Sequence, residues 1–318
     1  MQLDLSFVQQ ARRLLSSRLS PTRLIQANFL TARTGKQVSL KLETELPTSS
    51  FKVRGALYTL IVNSNRRAIR EVVASSTGNH GAAVAYAAKA LGVRARIFLP
   101  ANANPVKLNR IASLGAEIVE KGNDISDAFE SALEYASSAE AFFLNDATDP
   151  DLLAATGVIA MEIAEQRPTA EAILVPMGDT ALIRGVAATM KQLSPQIRII
   201  GVQAAKAPAY SLSWKKGVVV KTDSCDTIAD GLATRTPDPA NVAAIRELVD
   251  DVVMVSDEEM LRAIRTLLLE EHVLAEPAGA ASTAALLSVS SVLANDVVLV
   301  VSGANISHDV LRCAIVST

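Results

Sequence analysis

Lys52 stands in Pro47-Thr48-Ser49-Ser50-Phe51-Lys52-Val53-Arg54-Gly55-Ala56, one lysine between small hydroxyl residues and an aromatic, where a strand-like run gives way to a helix. An amine held at an element terminus beside an apolar ring is suited to form a Schiff base with a carbonyl group. Three later segments share that setting. Ser75-Ser76-Thr77-Gly78-Asn79-His80-Gly81 follows an apolar run and opens an alanine-rich helix. Hydroxyls, an amide and main-chain N–H groups at the positive end of a helix dipole suit a carboxylate or phosphate; a plain capped helix start reads the same residues equally well. Val175-Pro176-Met177-Gly178-Asp179-Thr180-Ala181-Leu182-Ile183-Arg184-Gly185 also joins a strand to a helix, and free amides of a tight loop can cradle a phosphate. Without a GxGxxG pattern that signal is weak and an ordinary turn explains it too; Asp179 opposes an anion unless it turns away to cap the helix. Val300-Val301-Ser302-Gly303-Ala304-Asn305 ends the last strand-like run, where ligands of open α/β sheets collect. Ser302 offers a neutral hydroxyl there, or is a turn residue.

Short β-branched runs alternate with longer alanine-rich stretches. Strands are expected at Val38–Glu43, Glu71–Ser75, Arg94–Leu99, Glu117–Glu120, Ala172–Val175, Arg198–Gln203, Asp251–Val255 and Asp296–Val301. Helices are expected at Val53–Val62, Gly78–Leu91, Pro105–Leu114, Ile125–Ser137, Leu152–Gln166, Leu182–Leu193, Asp257–Glu271, Ala278–Leu287 and His308–Ala314. The alternation implies mostly parallel sheets with right-handed crossovers. Boundary chemistry agrees: Asn104 precedes a first-turn proline, Ser256 and Glu259 form a capping box, and Gly92 ends a helix. Residues 71–144 read as a small inserted α/β domain, and 1–70 plus 145–318 as the large domain that surrounds it. Residues 204–226 are the longest irregular stretch.

The 318 residues carry 31 Lys plus Arg against 33 Asp plus Glu, a net charge of -2, which argues against nucleic acid or an anionic membrane as partner. Cys225 and Cys313 lie far apart, and with His80, His272 and His308 they make no disulfide framework or zinc spacing. The N-terminus lacks a basic region followed by an apolar run, and runs such as Val297–Val301 are too short to cross a bilayer. A cytoplasmic protein is expected.

Together, Ser50-Phe51-Lys52-Val53-Arg54-Gly55-Ala56, Gly78-Asn79-His80-Gly81, Leu114-Gly115-Ala116, the Gly178 loop, Ala229-Asp230-Gly231-Leu232, Glu276-Pro277-Ala278-Gly279-Ala280 and Ser302-Gly303-Ala304-Asn305 resemble, in order and over nearly the whole chain, the fold-type II pyridoxal-phosphate enzymes. Within them, His80 in Gly-Asn-His-Gly resembles the threonine dehydratase and serine racemase branch. The resemblance implies an α/β fold of two open twisted, mostly parallel sheets flanked by helices, with pyridoxal 5'-phosphate as cofactor. It implies that Lys52 forms the Schiff base and moves the Cα proton, that Phe51 packs on the cofactor ring, and that Asn79 meets the ring's 3-oxygen. It further implies that Gly178, Asp179, Thr180 and Ala181 bind the phosphate, that Ser302 faces the pyridine nitrogen, and that Ser76, Thr77, Asn79 and His80 hold the substrate carboxylate. Desolvation is expected to lower the Lys52 pKa toward neutrality. The family habit also implies a homodimer.

Three departures shape the expected activity. The phosphate loop reads Gly178-Asp179-Thr180-Ala181 where the family has consecutive glycines. Gln203, Ala207 and Ala209 stand where the branch often has metal-ligating carboxylates, so no metal site is expected there. Thr77 replaces the serine that racemases use on the face opposite the lysine; it is a candidate proton donor, and a cap or carboxylate donor is the preferred reading. No regulatory domain is expected after Ser302. The reading is a dehydratase (ammonia-lyase) of a 3-hydroxy amino acid such as threonine or serine, giving a 2-oxo acid and ammonia by β-elimination. A hydroxyectoine-utilisation dehydratase, a serine racemase and a non-catalytic scaffold of the same fold are the alternatives.

Overall fold

The computed structural model describes residues 3–76, 78–101, 105–288 and 294–316. Thr77 and Asn104, both singled out above, lie outside the described residues.

Two sheets organise the chain. The larger contains β1 (Leu24–Gln26), β2 (Gln37–Leu42), β7 (Ala172–Pro176), β8 (Arg198–Ala204), β9 (Asp251–Val255) and β10 (Asp296–Val301). Its order is β1-β2-β10-β7-β8-β9, with β1 antiparallel and the rest parallel. The smaller is wholly parallel, ordered β5-β4-β3-β6 from β3 (Glu71–Ser75), β4 (Arg94–Leu99), β5 (Glu117–Glu120) and β6 (Phe142–Phe143).

The apolar run of β10 shows why the larger sheet is covered on both faces. Val297, Leu299 and Val301 pack into one core, and Val298 and Val300 into the other. Ala172 and Leu174 of β7 take the first side, Ile173 and Val175 the second. A strand buried on both faces needs no polar alternation, as parallel sheets require. The first core is closed by α11 (Asp257–Leu269) and α12 (Pro277–Ser288), the second by α8 (Ala181–Leu193) and α10 (Pro239–Leu248). A third core joins the smaller sheet to α1 (Leu5–Leu15), α3 (Lys52–Arg66), α4 (Asn79–Leu91) and α7 (Leu152–Gln166).

All eight expected strands and nine expected helices are present, with ends shifted by up to four residues. The Ser256–Glu259 capping box forms, and Gly92 ends α4 with φ +68°, a conformation glycine adopts without strain. Residues 204–226 are not irregular throughout: Pro208 leads into α9 (Ala209–Lys216), closed by Gly217 at φ +77°. Eight residues are too few to show a periodicity, so only the Pro and Gly at its ends signal it. β1, β6, α1, α2 (Asn28–Thr34) and α10 were likewise not expected; the two strands are too short to show alternation, α1 follows the side-chain cap of Asp4, and α10 follows the Asp238 cap and Pro239.

β10 lies between β2 and β7 and runs parallel to both. The chain leaving β2 toward Lys52, the chain leaving β7 into the Gly178 loop, and Ser302 therefore emerge side by side. In the smaller sheet, β3 is paired with β6, which puts Ser76 and His80 beside the segment that follows Leu144.

Candidate active site

Lys52 is the first residue of α3, preceded by Phe51 in helical conformation. The approach is fixed by main-chain contacts: Phe51 N–H donates to the Ser302 carbonyl at 3.0 Å, and Ser50 bridges Gly303. Phe51 and Ser302 are thereby held together at adjacent strand ends. The Lys52 ammonium lies 5.5 Å from the centre of the Phe51 ring.

The nearest partners of Lys52 are two carboxylates. Nζ donates to Asp146 Oδ2 at 2.6 Å and to Asp179 Oδ2 at 3.0 Å. The expectation of a lysine titrating near neutrality is corrected here. Burial pulls the Lys52 pKa down, but Asp146 and Asp179 outweigh it and hold the pKa above the ordinary lysine value. Asp146 shows the counterpart: burial alone would raise its carboxyl, yet His80 and Lys52 draw it well below the usual carboxylate range.

Asp146 is the residue that sequence reasoning missed. It is 94 positions from Lys52 and has no motif around it; its one signal is its place just beyond the carboxyl end of an apolar Phe-Phe-Leu run. His80 braces it from behind. His80 Nε2 donates to the Leu144 carbonyl at 3.0 Å, and Nδ1 lies 3.9 Å from Asp146 Oδ2. With its ring thus engaged, His80 can serve a carboxylate at the loop only through its first-turn N–H. The Ser76 hydroxyl accepts from Gly78 N–H at 3.1 Å.

Asn79 begins α4 and lies next to Gly303, which follows Ser302. Its Nδ2 donates to Glu276 Oε1 at 2.6 Å and its Oδ1 accepts from Asn305 Nδ2. Asn305 is tied in turn to the Thr48 carbonyl at 2.9 Å and to Arg110 of α5 (Pro105–Ser113). The amide orientation of Asn79 is therefore set by a carboxylate and a second asparagine.

The Gly178 loop is tight. A Cβ at Gly178 would strike the Gly231 carbonyl oxygen, so only glycine fits against the Ala229–Leu232 segment. Thr180 has φ +74°, a left-handed conformation that costs a threonine on the order of 1–2 kcal/mol. Its hydroxyl accepts from Arg184 Nε at 3.0 Å, which offsets that strain. Asp179 both caps and intrudes: Oδ1 accepts from Ala181 N–H at 3.2 Å while Oδ2 reaches Lys52.

These residues fit an aromatic aldehyde phosphate. An amine and a ring lie together, an oriented amide lies next to Gly303, and α8 presents first-turn N–H groups for a phosphate. Thr48 Oγ1, Ser50 Oγ and Ser75 Oγ, on the segments around the crevice, are buried without a hydrogen-bond partner among the described residues, as expected of a polar site. The described residues contain no cluster of three metal-ligating side chains.

The fold and these residues define a class. The sequence profile of the family described as pyridoxal-phosphate dependent enzyme matches residues 15–303, and the chain belongs to that family. It is 35% identical over 309 residues to the L-threonine ammonia-lyase of Thermotoga maritima, covering 97% of this chain and 77% of that one. It is 31% identical over 300 residues to the catabolic L-threonine dehydratase of Escherichia coli K12, covering 93% and 91%. Among solved structures, the maize serine racemase superposes with a TM-score of 0.93 at 28% identity, covering 99% and 97%. A threonine deaminase from T.th. superposes with a TM-score of 0.90 at 30% identity, covering 96% and 99%. The two mostly parallel sheets flanked by helices are the fold-type II architecture, and pyridoxal phosphate is the family's cofactor.

Proposed function

We propose that this enzyme is an ammonia-lyase (dehydratase) that converts a 3-hydroxy amino acid of the threonine or serine type into a 2-oxo acid and ammonia. The reading is supported by Phe51 bonding the Ser302 carbonyl beside Lys52, and by Asn79 lying next to Gly303, in a chain 35% identical to an L-threonine ammonia-lyase.

Bound pyridoxal phosphate supplies the electron sink that makes the Cα–H bond of an amino acid breakable. Lys52 is assigned the Cα proton. An amine released neutral beside the Asp146 carboxylate has a high proton affinity, so it is a strong base at Cα. Asp146 stays ionised and orients that amine. With pyridoxal phosphate bound, Phe51 would cover the ring, Asn79 would meet the 3-oxygen, Ser302 would offer the pyridine nitrogen a neutral hydroxyl, and Gly178 to Ala181 would take the phosphate. Ser76, with the N–H groups of Asn79 and His80, binds the substrate carboxylate; Thr77 completes that loop. The substrate hydroxyl departs with a proton as water, and a water molecule then replaces the nitrogen, so a 2-oxo acid and ammonia leave one to one. The division into a small inserted domain at 71–144 and a large domain, the cytoplasmic setting and a symmetric dimer belong to the same proposal; no described helix is long and apolar enough to cross a membrane.

The test is a panel of L-threonine, L-serine, 3-hydroxyaspartate and phenylserine, assayed for 2-oxo acid and ammonia with and without a chelator. Stoichiometric products, an unaffected rate with chelator, and a visible absorption band that vanishes in Lys52→Ala with a loss of at least about a thousandfold in rate are expected. A colourless protein that cannot be reconstituted, or enantiomer exchange of serine without oxo acid, overturns the proposal.

A further inference from the structure

The phosphate loop contains an anion of its own. Asp179 sits at the start of α8, where its carboxylate spans two groups at once, Ala181 N–H at 3.2 Å and Lys52 Nζ at 3.0 Å. A phosphate at a helix N-terminus uses the same kind of donor that Oδ1 already holds. Elsewhere the loop is built as a phosphate loop is: Gly178 has no room for a side chain, and Thr180 keeps the left-handed turn.

The loop backbone is braced, so the movable part is the Asp179 side chain. Buried Arg184 bonds the Thr180 hydroxyl and, at 2.9 Å, the Ala147 carbonyl. Asn241 Nδ2 donates to the Asp179 and Ala147 carbonyls, each at 3.3 Å. The Asp179 side chain itself is 26% exposed, and among the described residues its hydrogen bonds are the two to Ala181 N–H and Lys52. Rotation about its side-chain bonds frees both Ala181 N–H and Lys52 without moving the loop. Asp146 remains on Lys52 after such a rotation, so the lysine keeps a counter-ion.

We propose that Asp179 is a resident competitor of the cofactor's phosphate: its carboxylate occupies the Ala181 N–H at the start of α8 and bridges to Lys52, and the cofactor binds only by displacing it. This rests on the reading that Gly178–Ala181 is the phosphate loop. The consequence is a cofactor site weaker and more easily emptied than one with glycine at this position, with the loss confined to the phosphate end. Like charges a few ångströms apart in a partly buried site repel with little screening, so the carboxylate opposes the phosphate even after it rotates.

The test uses holoenzyme stripped of cofactor by dialysis against hydroxylamine, then equilibrium dialysis with pyridoxal phosphate, with pyridoxal, and with inorganic phosphate. Wild type, Asp179→Gly and the near-isosteric Asp179→Asn are compared. Pyridoxal phosphate should bind at least about tenfold more tightly to Asp179→Gly, with a smaller gain in Asp179→Asn. Pyridoxal should change by less than about twofold, and inorganic phosphate should bind the glycine variant more tightly than wild type. Unchanged or weaker pyridoxal phosphate binding in both variants overturns the proposal. So does an equal gain for pyridoxal, which would place the effect at Lys52 alone. A protein that never prefers pyridoxal phosphate over pyridoxal, wild type or variant, removes the phosphate loop itself and the proposal with it.

Discussion

Two ionic clusters hang on the first turn of α3, two residues apart, and they are built to opposite rules. Arg54 forks onto Glu43 at 2.7 and 2.9 Å and onto Glu162 at 2.7 and 2.9 Å, while Lys41 closes the set on Glu162 at 2.6 Å and the Thr22 carbonyl at 2.8 Å. Two cations meet two carboxylates, and no side chain in the set is more than 4% exposed. Lys52 instead faces two carboxylates, with His80 behind one of them, and the lysine and its two partners are 16%, 30% and 26% exposed. The balanced cluster is closed and holds the helix in place. The unbalanced one is open to a ligand and retains a charge for chemistry. A buried charge network earns stability only when complete, whereas a site needs a group whose charge state can change.

That contrast can be broken from either side. The largest effect is expected in the closed cluster: Glu162→Gln leaves Arg54 and Lys41 sharing one buried carboxylate and should cost about 3–5 kcal/mol, read as a lower urea midpoint. A loss under about 1 kcal/mol would mean that the cluster relaxes or admits water. Asp146→Asn should leave the unfolding free energy from urea titration within about 1 kcal/mol of wild type, because the site is already partly solvated. It should nonetheless change the chemistry of Lys52. With one carboxylate gone, burial weighs more heavily, the Lys52 pKa falls, and more free amine exists at neutral pH. The pH profile of cofactor loading should therefore move to lower pH; an unmoved profile would remove Asp146 as the partner that matters.

The smallest effect tests the rule on a carboxylate with poor compensation. Asp149 follows Asp146 by three residues, and burial pushes its pKa up to about 6 from 3.8, against a hydrogen bond from Asp151 N–H. A raised folded pKa means that its contribution to stability is full below about pH 4 and is lost as pH rises through 6. Asp149→Asn should thus stabilise the protein by on the order of 1 kcal/mol at about pH 8, after allowance for partial exposure, and not at about pH 4. Thermal midpoints at the two pH values read this directly; equal shifts at both would show that ionisation is not the cause.

Much of the architecture is local in origin and was legible. The double-sided burial of β10 follows from an uninterrupted β-branched run, and the α11 start from Ser256 and Glu259. The order of motifs placed the chain in its family before any contact was known. Short elements such as β6 and α9 escaped because two or eight residues carry no readable period. Arg54 could be read as part of a motif but not as the hub of a buried cluster.

The sequence alone determined the kinds of residue, their order, and the strand ends and helix starts that carry them, because backbone periodicity and capping are properties of neighbours. It also determined that Asp179 would sit in the loop expected to take a phosphate. Only the tertiary structure decided what that aspartate does, and that Asp146 joins it on Lys52. The two contacts span 94 and 127 positions in the chain. The proton affinity of an amine is set by the charges packed against it, and those become neighbours only when β2, β6 and β7 deliver their ends to one crevice.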